Sequence, residues 1–175
     1  MYVRGGLNYC LLIFVLHGWS SINALHTGCI PQGGRLRLRY PLTLNVIREI
    51  TNFYWPLGVF DRFPGLVVVL GHIGEMVPYW MWRASSVLGR GREVALREVW
   101  ARNVYVTTSG IWSLDPMWSS LAVTDVSRVM YSVDWLLARN EDGKVFMGEL
   151  RSSRLVTEAQ WKGIAAGNAK RLLKL

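Results

Sequence analysis

Hydrophobic positions fall into short continuous runs separated by stretches of helical spacing. The clearest run is 66–70, five consecutive Leu and Val residues, with Pro64-Gly65 before it and Gly71 after it. An unbroken apolar run of this length predicts a strand buried on both faces, the kind found in parallel sheets. A second strand is predicted over 104–108, β-branched and ending at Ser109-Gly110, and a third over 128–133, ending at Asp134. The apolar run 7–16 has two readings. One is a buried strand over 11–16 that ends at His17. The other is a secretory signal peptide: Arg4, a core of about ten apolar residues, then small residues through Ala24. The run is too short to cross a bilayer as a helix.

Helical spacing begins at Pro41, with apolar residues at 44, 46, 47, 50, 53 and 54, and Pro41 suits a first turn. Gly58 ends that helix, and Asp61-Arg62-Phe63-Pro64 reads as a turn feeding the central strand. Further helices are predicted over 75–88, 93–100, 114–123 and 157–173. Glu75 would lie in a first turn, where the helix dipole favours a carboxylate. Thr157 and Gln160 have the spacing of a capping box. Residues 18–40, with an Arg-Leu alternation, and 139–151, polar and Gly-containing, read as loops. Strands alternating with helices predict an α/β fold with a parallel sheet.

At 175 residues one domain is expected. A hydrophobic content of 51% with nine Trp excludes a disordered chain. Cys10 and Cys29 form no CxxC pair and cannot make a four-cysteine zinc site, so free thiols in a reducing, cytoplasmic setting are expected. A net charge of +8 and a pI near 9.9 raise the question of nucleic acid. No zinc-finger spacing, RNA-recognition signature or Lys-rich tail accompanies the charge. It is assigned to solvated faces such as Arg35, Arg37 and Arg39, and neither nucleic acid nor membrane is expected as a partner.

Candidate chemistry sits where the central strand ends, at Gly71-His72-Ile73-Gly74-Glu75. Parallel α/β folds carry their chemistry at the carboxyl ends of strands. A His and a Glu there, with glycines that let a ligand approach the backbone, form the strongest site candidate. A His that merely caps a strand is the competing reading. Asp134 after a strand has the same two readings, site residue or helix cap. Ser109 is read as a turn former or a ligand contact.

The stretch 58–83, GVFDRFPGLVVVLGHIGEMVPYWMWR, resembles the amidohydrolase-related decarboxylases. These include the 2,3-dihydroxybenzoate and γ-resorcylate decarboxylases and, more distantly, aminocarboxymuconate-semialdehyde decarboxylase. Stretches 103–110, 128–134 and 167–173 agree with that family in order. The resemblance implies a (β/α)8 TIM barrel of the metal-dependent hydrolase superfamily. Such a barrel typically takes about 250 residues, so the chain is expected to hold roughly strands five to eight. Its domains would be a divergent segment, 1–40, and the C-terminal half of the barrel, 41–175. The implied activity is a carboxy-lyase reaction: non-oxidative decarboxylation of a small aromatic hydroxy-acid with a divalent metal, zinc or manganese.

By the same resemblance, His17 and Asp134 would be metal ligands, Asp134 would also be catalytic, handling a proton, and His72 would be a catalytic or metal-facing histidine. Glu75 would orient His72, and Asn168 would be structural. Arg83 would bind a substrate carboxylate or make a structural ion pair. His26 is the weaker candidate for the place of His17. The sequence departs from the family pattern in two places. Gly18-Trp19 follows His17 where the family has Pro, and Trp135-Leu136 follows Asp134 where the family has Tyr-Pro. The family's other ligand pair has no counterpart before His17. A half barrel is also expected to leave two strand edges unpaired, which implies a homo-oligomer or pairing with a full-length relative. Two further readings stand beside the decarboxylase: an inactive remnant acting as an interaction subunit, and a secreted basic binding protein.

Overall fold

The computed structural model describes residues 11–14, 58–88, 94–135 and 137–175. Four strands form one sheet in sequence order: β1 (Leu11–Phe14), β2 (Val67–Leu70), β3 (Val104–Thr107) and β4 (Val129–Met130). Every pairing is parallel, with Leu11 beside Val67, Val68 beside Val104 and Val106 beside Val129. A short helix α1 (Val59–Arg62) precedes β2; α2 (Val77–Leu88) and α3 (Leu96–Asn103) join β2 to β3, and α4 (Leu114–Leu121) joins β3 to β4. After β4 come α5 (Asn140–Ser152), α6 (Glu158–Lys162), a π-helical turn (Gly163–Gly167) and α7 (Asn168–Leu173).

The strand pleat explains the layering. Val68, Leu70, Val104, Val106 and Val129 share the helix-covered face, buried with Val77 and Met81 of α2, Val99 and Trp100 of α3, Met117 of α4 and Phe146 and Leu150 of α5. Val69 and Met130 have the opposite parity and are also buried, which bears out a strand covered on both faces. Trp100 is fully buried, worth about 3 kcal/mol of apolar transfer. Its indole N–H donates to Thr124 Oγ1 at 2.9 Å.

Several sequence expectations are corrected. The predicted loop 139–151 is helix α5. Its buried residues, Gly143, Phe146, Met147 and Leu150, have helical spacing, hidden in the sequence by two glycines and five charges. A Cβ at Gly143 would collide with Tyr131 Oη and stand 3.0 Å from the Trp112 ring, so those side chains would have to shift. Glu75 is not in a first turn, since α2 begins at Val77. Asp61-Arg62 belongs to α1 rather than to a plain turn. The strand predicted over 128–133 pairs only at Val129–Met130. Beyond it, Thr108 replaces the ladder: its Oγ1 donates to Ser132 O at 2.7 Å and accepts from Ser132 N–H at 3.0 Å.

The outer edge of β4 is not left unpaired. Tyr131 N–H donates to Ile164 O at 2.8 Å, and Asn168 Nδ2 donates to Val129 O at 2.6 Å and Val126 O at 2.9 Å. The π-turn makes this possible. Asn168 N–H bonds to Gly163 O, five residues back, which leaves Ile164 O for Tyr131. The capping box of Thr157 and Gln160 starts this helical run as expected. Asn103, at the end of α3, ties the segment ahead of β2, donating to Pro64 O and Leu66 O at 2.9 and 2.6 Å.

Of the two readings of 7–16, the strand is present over Leu11–Phe14. His17, His26, both cysteines and the helix expected over 41–54 lie outside the described residues. Among the described residues no helix is long and apolar enough to cross a membrane.

Candidate active site

The chain leaves β2 through Gly71 into a single 3-10 turn, His72–Gly74. This turn, the β3 exit and the β4 exit together hold most of the left-handed backbone. His72 (φ 51°), Ile73 (55°), Glu75 (55°), Ser109 (39°) and Asp134 (69°) all lie there, with Gly74 (80°) and Gly110 (81°). Arg154 and Lys174 are the other non-glycine examples among the described residues. Each left-handed non-glycine residue costs about 1 kcal/mol or more. Such strain concentrates where side chains are held for use.

The turn brings Glu75 back onto His72, so that His72 Nδ1 and Glu75 Oε1 are hydrogen-bonded. On the other side of the ring, His72 Nε2 lies 3.4 Å from Asp134 Oδ2. Asp134 arrives from the far strand because Thr108 and the Ser109 N–H, 3.0 Å from Ser132 O, carry the 131–134 backbone along β3. Ser109 Oγ lies 3.4 Å from Asp134 Oδ1. Gly110 allows the close approach, since a Cβ there would stand 3.0 Å from Asp134 Oδ2. The Glu75 and Asp134 side chains are 8% and 7% exposed, and His72 is 20% exposed, so the ring is the part of the cluster open to solvent.

Electrostatics follow from this geometry. The Glu75 hydrogen bond raises the His72 pKa above 6.5; burial opposes it, and the Glu75 charge and Asp134 reinforce it. An imidazole with a carboxylate on each nitrogen is biased toward the charged form, with Glu75 fixing the ring orientation.

Of the residues singled out in the sequence, the structure gathers His72, Glu75 and Asp134. Arg83 is exposed on α2 and takes part in none of the ion pairs among the described residues. Thr108, fully buried, was missed. Its signal was a Thr closing an apolar strand, the position from which a hydroxyl can substitute for a ladder bond. Asp134 offers a hard oxygen donor for a divalent cation. Among the described residues, however, no three His, Cys, Asp or Glu side chains gather as a metal cage. Zinc takes four ligands, or three and water, so the described donors alone do not complete a coordination sphere.

Residues 56–175 match the family described as Amidohydrolase. The chain is 47% identical over 123 residues to decarboxylase orsB of Emericella nidulans, covering 67% of this chain and 37% of that protein. It is 33% identical over 125 residues to a γ-resorcylate decarboxylase of Polaromonas sp., with the same coverage. Among solved structures, 5-carboxyvanillate decarboxylase of Sphingomonas paucimobilis superposes with a TM-score of 0.63 at 30% identity, over 76% of this chain and 39% of that one. A dihydroxybenzoic acid decarboxylase of Polaromonas sp., solved with manganese and 2-nitroresorcinol, superposes with a TM-score of 0.63 at 26% identity, over 76% and 40%. The chain thus spans under half the length of these relatives, and its four parallel strands are part of a (β/α)8 barrel.

Proposed function

The chain belongs to the amidohydrolase family, and from that premise we propose that it carries part of a metal-dependent, non-oxidative decarboxylase site for an aromatic hydroxy-acid. The observation that carries this reading is the His72–Glu75–Asp134 cluster at the carboxyl ends of parallel strands, the place where such folds do chemistry.

In this reading His72 holds the proton. Glu75 accepts from Nδ1–H and keeps Nε2 turned toward Asp134. The proton at Nε2 passes to the ring carbon that bears the carboxylate. The carbon–carbon bond then breaks with its electron pair returned to the ring, CO2 leaves, and aromaticity is restored. Water returns a proton to His72. Both carboxylates are buried and the imidazole is only partly exposed, which limits its contact with solvent. A bound divalent cation, zinc or manganese, would supply Lewis acidity and orient the substrate carboxylate and a neighbouring hydroxyl. Asp134 would hold it with donors outside the described residues, His17 among them.

The test is CO2 release from dihydroxybenzoates and 5-carboxyvanillate by protein supplied with Mn2+ or Zn2+. Release should fall about 100-fold or more in His72→Gln, the scale of a lost general acid. No release with either metal, from the unaltered chain alone or mixed with a full-length relative whose own His72 counterpart is inactivated, would overturn the reading. Arg83→Gln should raise KM about tenfold if its guanidinium pairs with the substrate carboxylate, and an unchanged KM would assign Arg83 to the surface.

A second reading, a non-catalytic subunit that pairs with another chain, is favoured by the incomplete donor set among the described residues. It predicts that the chain binds no metal alone.

A further inference from the structure

We propose that Ser109 is a positioning residue for Asp134, holding Oδ1 so that Oδ2 faces His72. The inference rests on the decarboxylase reading for its purpose, and on geometry alone for its existence. Ser109 is 2% exposed and sits at φ 39°. Glycine would make this turn with less strain. What serine adds is a hydroxyl, and that hydroxyl lies 3.4 Å from Asp134 Oδ1. This is longer than the usual O–H···O separation of about 2.7–2.8 Å, and contacts of this kind tighten when a site is loaded.

An aspartate carboxylate has a broad torsion about its last bond, so little in the side chain itself fixes which way its oxygens point. The surroundings of Asp134 fix it. Ser109 stands at Oδ1 and His72 Nε2 at Oδ2, while the α-carbon of Gly110 closes the space beside Oδ2. The hydroxyl is itself confined: a Cβ on Gly71 would lie 3.2 Å from Ser109 Oγ. The backbone beneath it is tied, because Ser109 N–H donates to Ser132 O. Losing the hydroxyl removes one of the contacts that hold Oδ1 beside the β3 exit, while the turn persists.

Ser109→Gly and Ser109→Ala separate this role from turn formation. The Asp134 13Cγ and His72 15Nε2 resonances are read at one fixed pH in metal-free protein, together with the backbone amide spectrum. Both variants should move both resonances and leave amides outside 108–110 and 132–135 in place. Where decarboxylase activity is present, kcat should fall about tenfold, with KM within about twofold. Should the alanine variant fail to fold, the glycine variant, which relieves the left-handed strain, carries the test. Unmoved Asp134 and His72 resonances in Ser109→Gly would overturn the proposal and leave Ser109 a turn former. Moved resonances in a chain without decarboxylase activity would keep the positioning role and reject the reaction.

Discussion

At the residue scale, His72 is defined by what flanks it. Glu75 is the main reason its pKa is raised, with Asp134 adding less. In metal-free protein the imidazole should therefore titrate above 6.5, and Glu75→Gln should bring the midpoint down, as NMR of the ring Hε1 proton would report. A raised folded-state pKa stabilises the fold fully below the unfolded value of about 6.5, and that stability is lost as pH rises through the folded value. A midpoint unmoved by Glu75→Gln would contradict this account of the ring. Gly110 is the second constrained position, with φ +81° and Asp134 Oδ2 3.0 Å from its missing Cβ. Gly110→Ala should cost about 1–3 kcal/mol in urea unfolding and displace the Asp134 carboxylate. His72 and Glu75 were legible in the sequence because they stand just past an apolar run, whereas Asp134 had a helix cap as its competing reading and was assigned to the site by the family resemblance. Ser109's contact was not legible, because nothing in a one-dimensional pattern shows that two strand exits meet.

At the element scale, two asparagines tie helix ends to the sheet. Asn103 holds Pro64 O and Leu66 O ahead of β2, and Asn168 holds Val126 O and Val129 O around β4. Each alanine substitution would orphan two carbonyls, so Asn103→Ala and Asn168→Ala should each lose about 2–4 kcal/mol by urea unfolding. A loss below about 0.5 kcal/mol would mean that water replaces the amides. Elements with one dominant pattern were legible: β2, β3 and the capped start of α6. Helix α5 was not, because Gly143 and Gly148 weaken its local helical signal, and tertiary packing of Phe146, Met147 and Leu150 restores it. The β4 region was over-read as a long strand because the side chain of Thr108, with a single backbone bond from Ser109 N–H, holds its second half in place of a regular ladder.

At the scale of the whole molecule, the β4 side of the described sheet is closed by its own chain. The carbonyl freed by the π-turn and the Asn168 amide occupy the outer edge of β4. Asn168→Ala should free part of the β4 edge and raise self-association, read by sedimentation at several concentrations; an unchanged distribution would show that Ile164 suffices to cap it. The α/β class with a parallel sheet followed from alternating runs and helical spacings, and the place of the strands in a barrel from the family resemblance, whereas this closure depends on a π-turn that no periodicity announces.

The central claim is that Asp134, facing His72, belongs to a working metal-dependent site. Metal content of the purified chain, measured beside Asp134→Ala after loading with Mn2+ or Zn2+, tests it most directly. The account predicts near one equivalent in the unaltered chain, lost in the variant. No bound metal in either protein would contradict it, and the cluster would then stand as inherited architecture in a non-catalytic subunit.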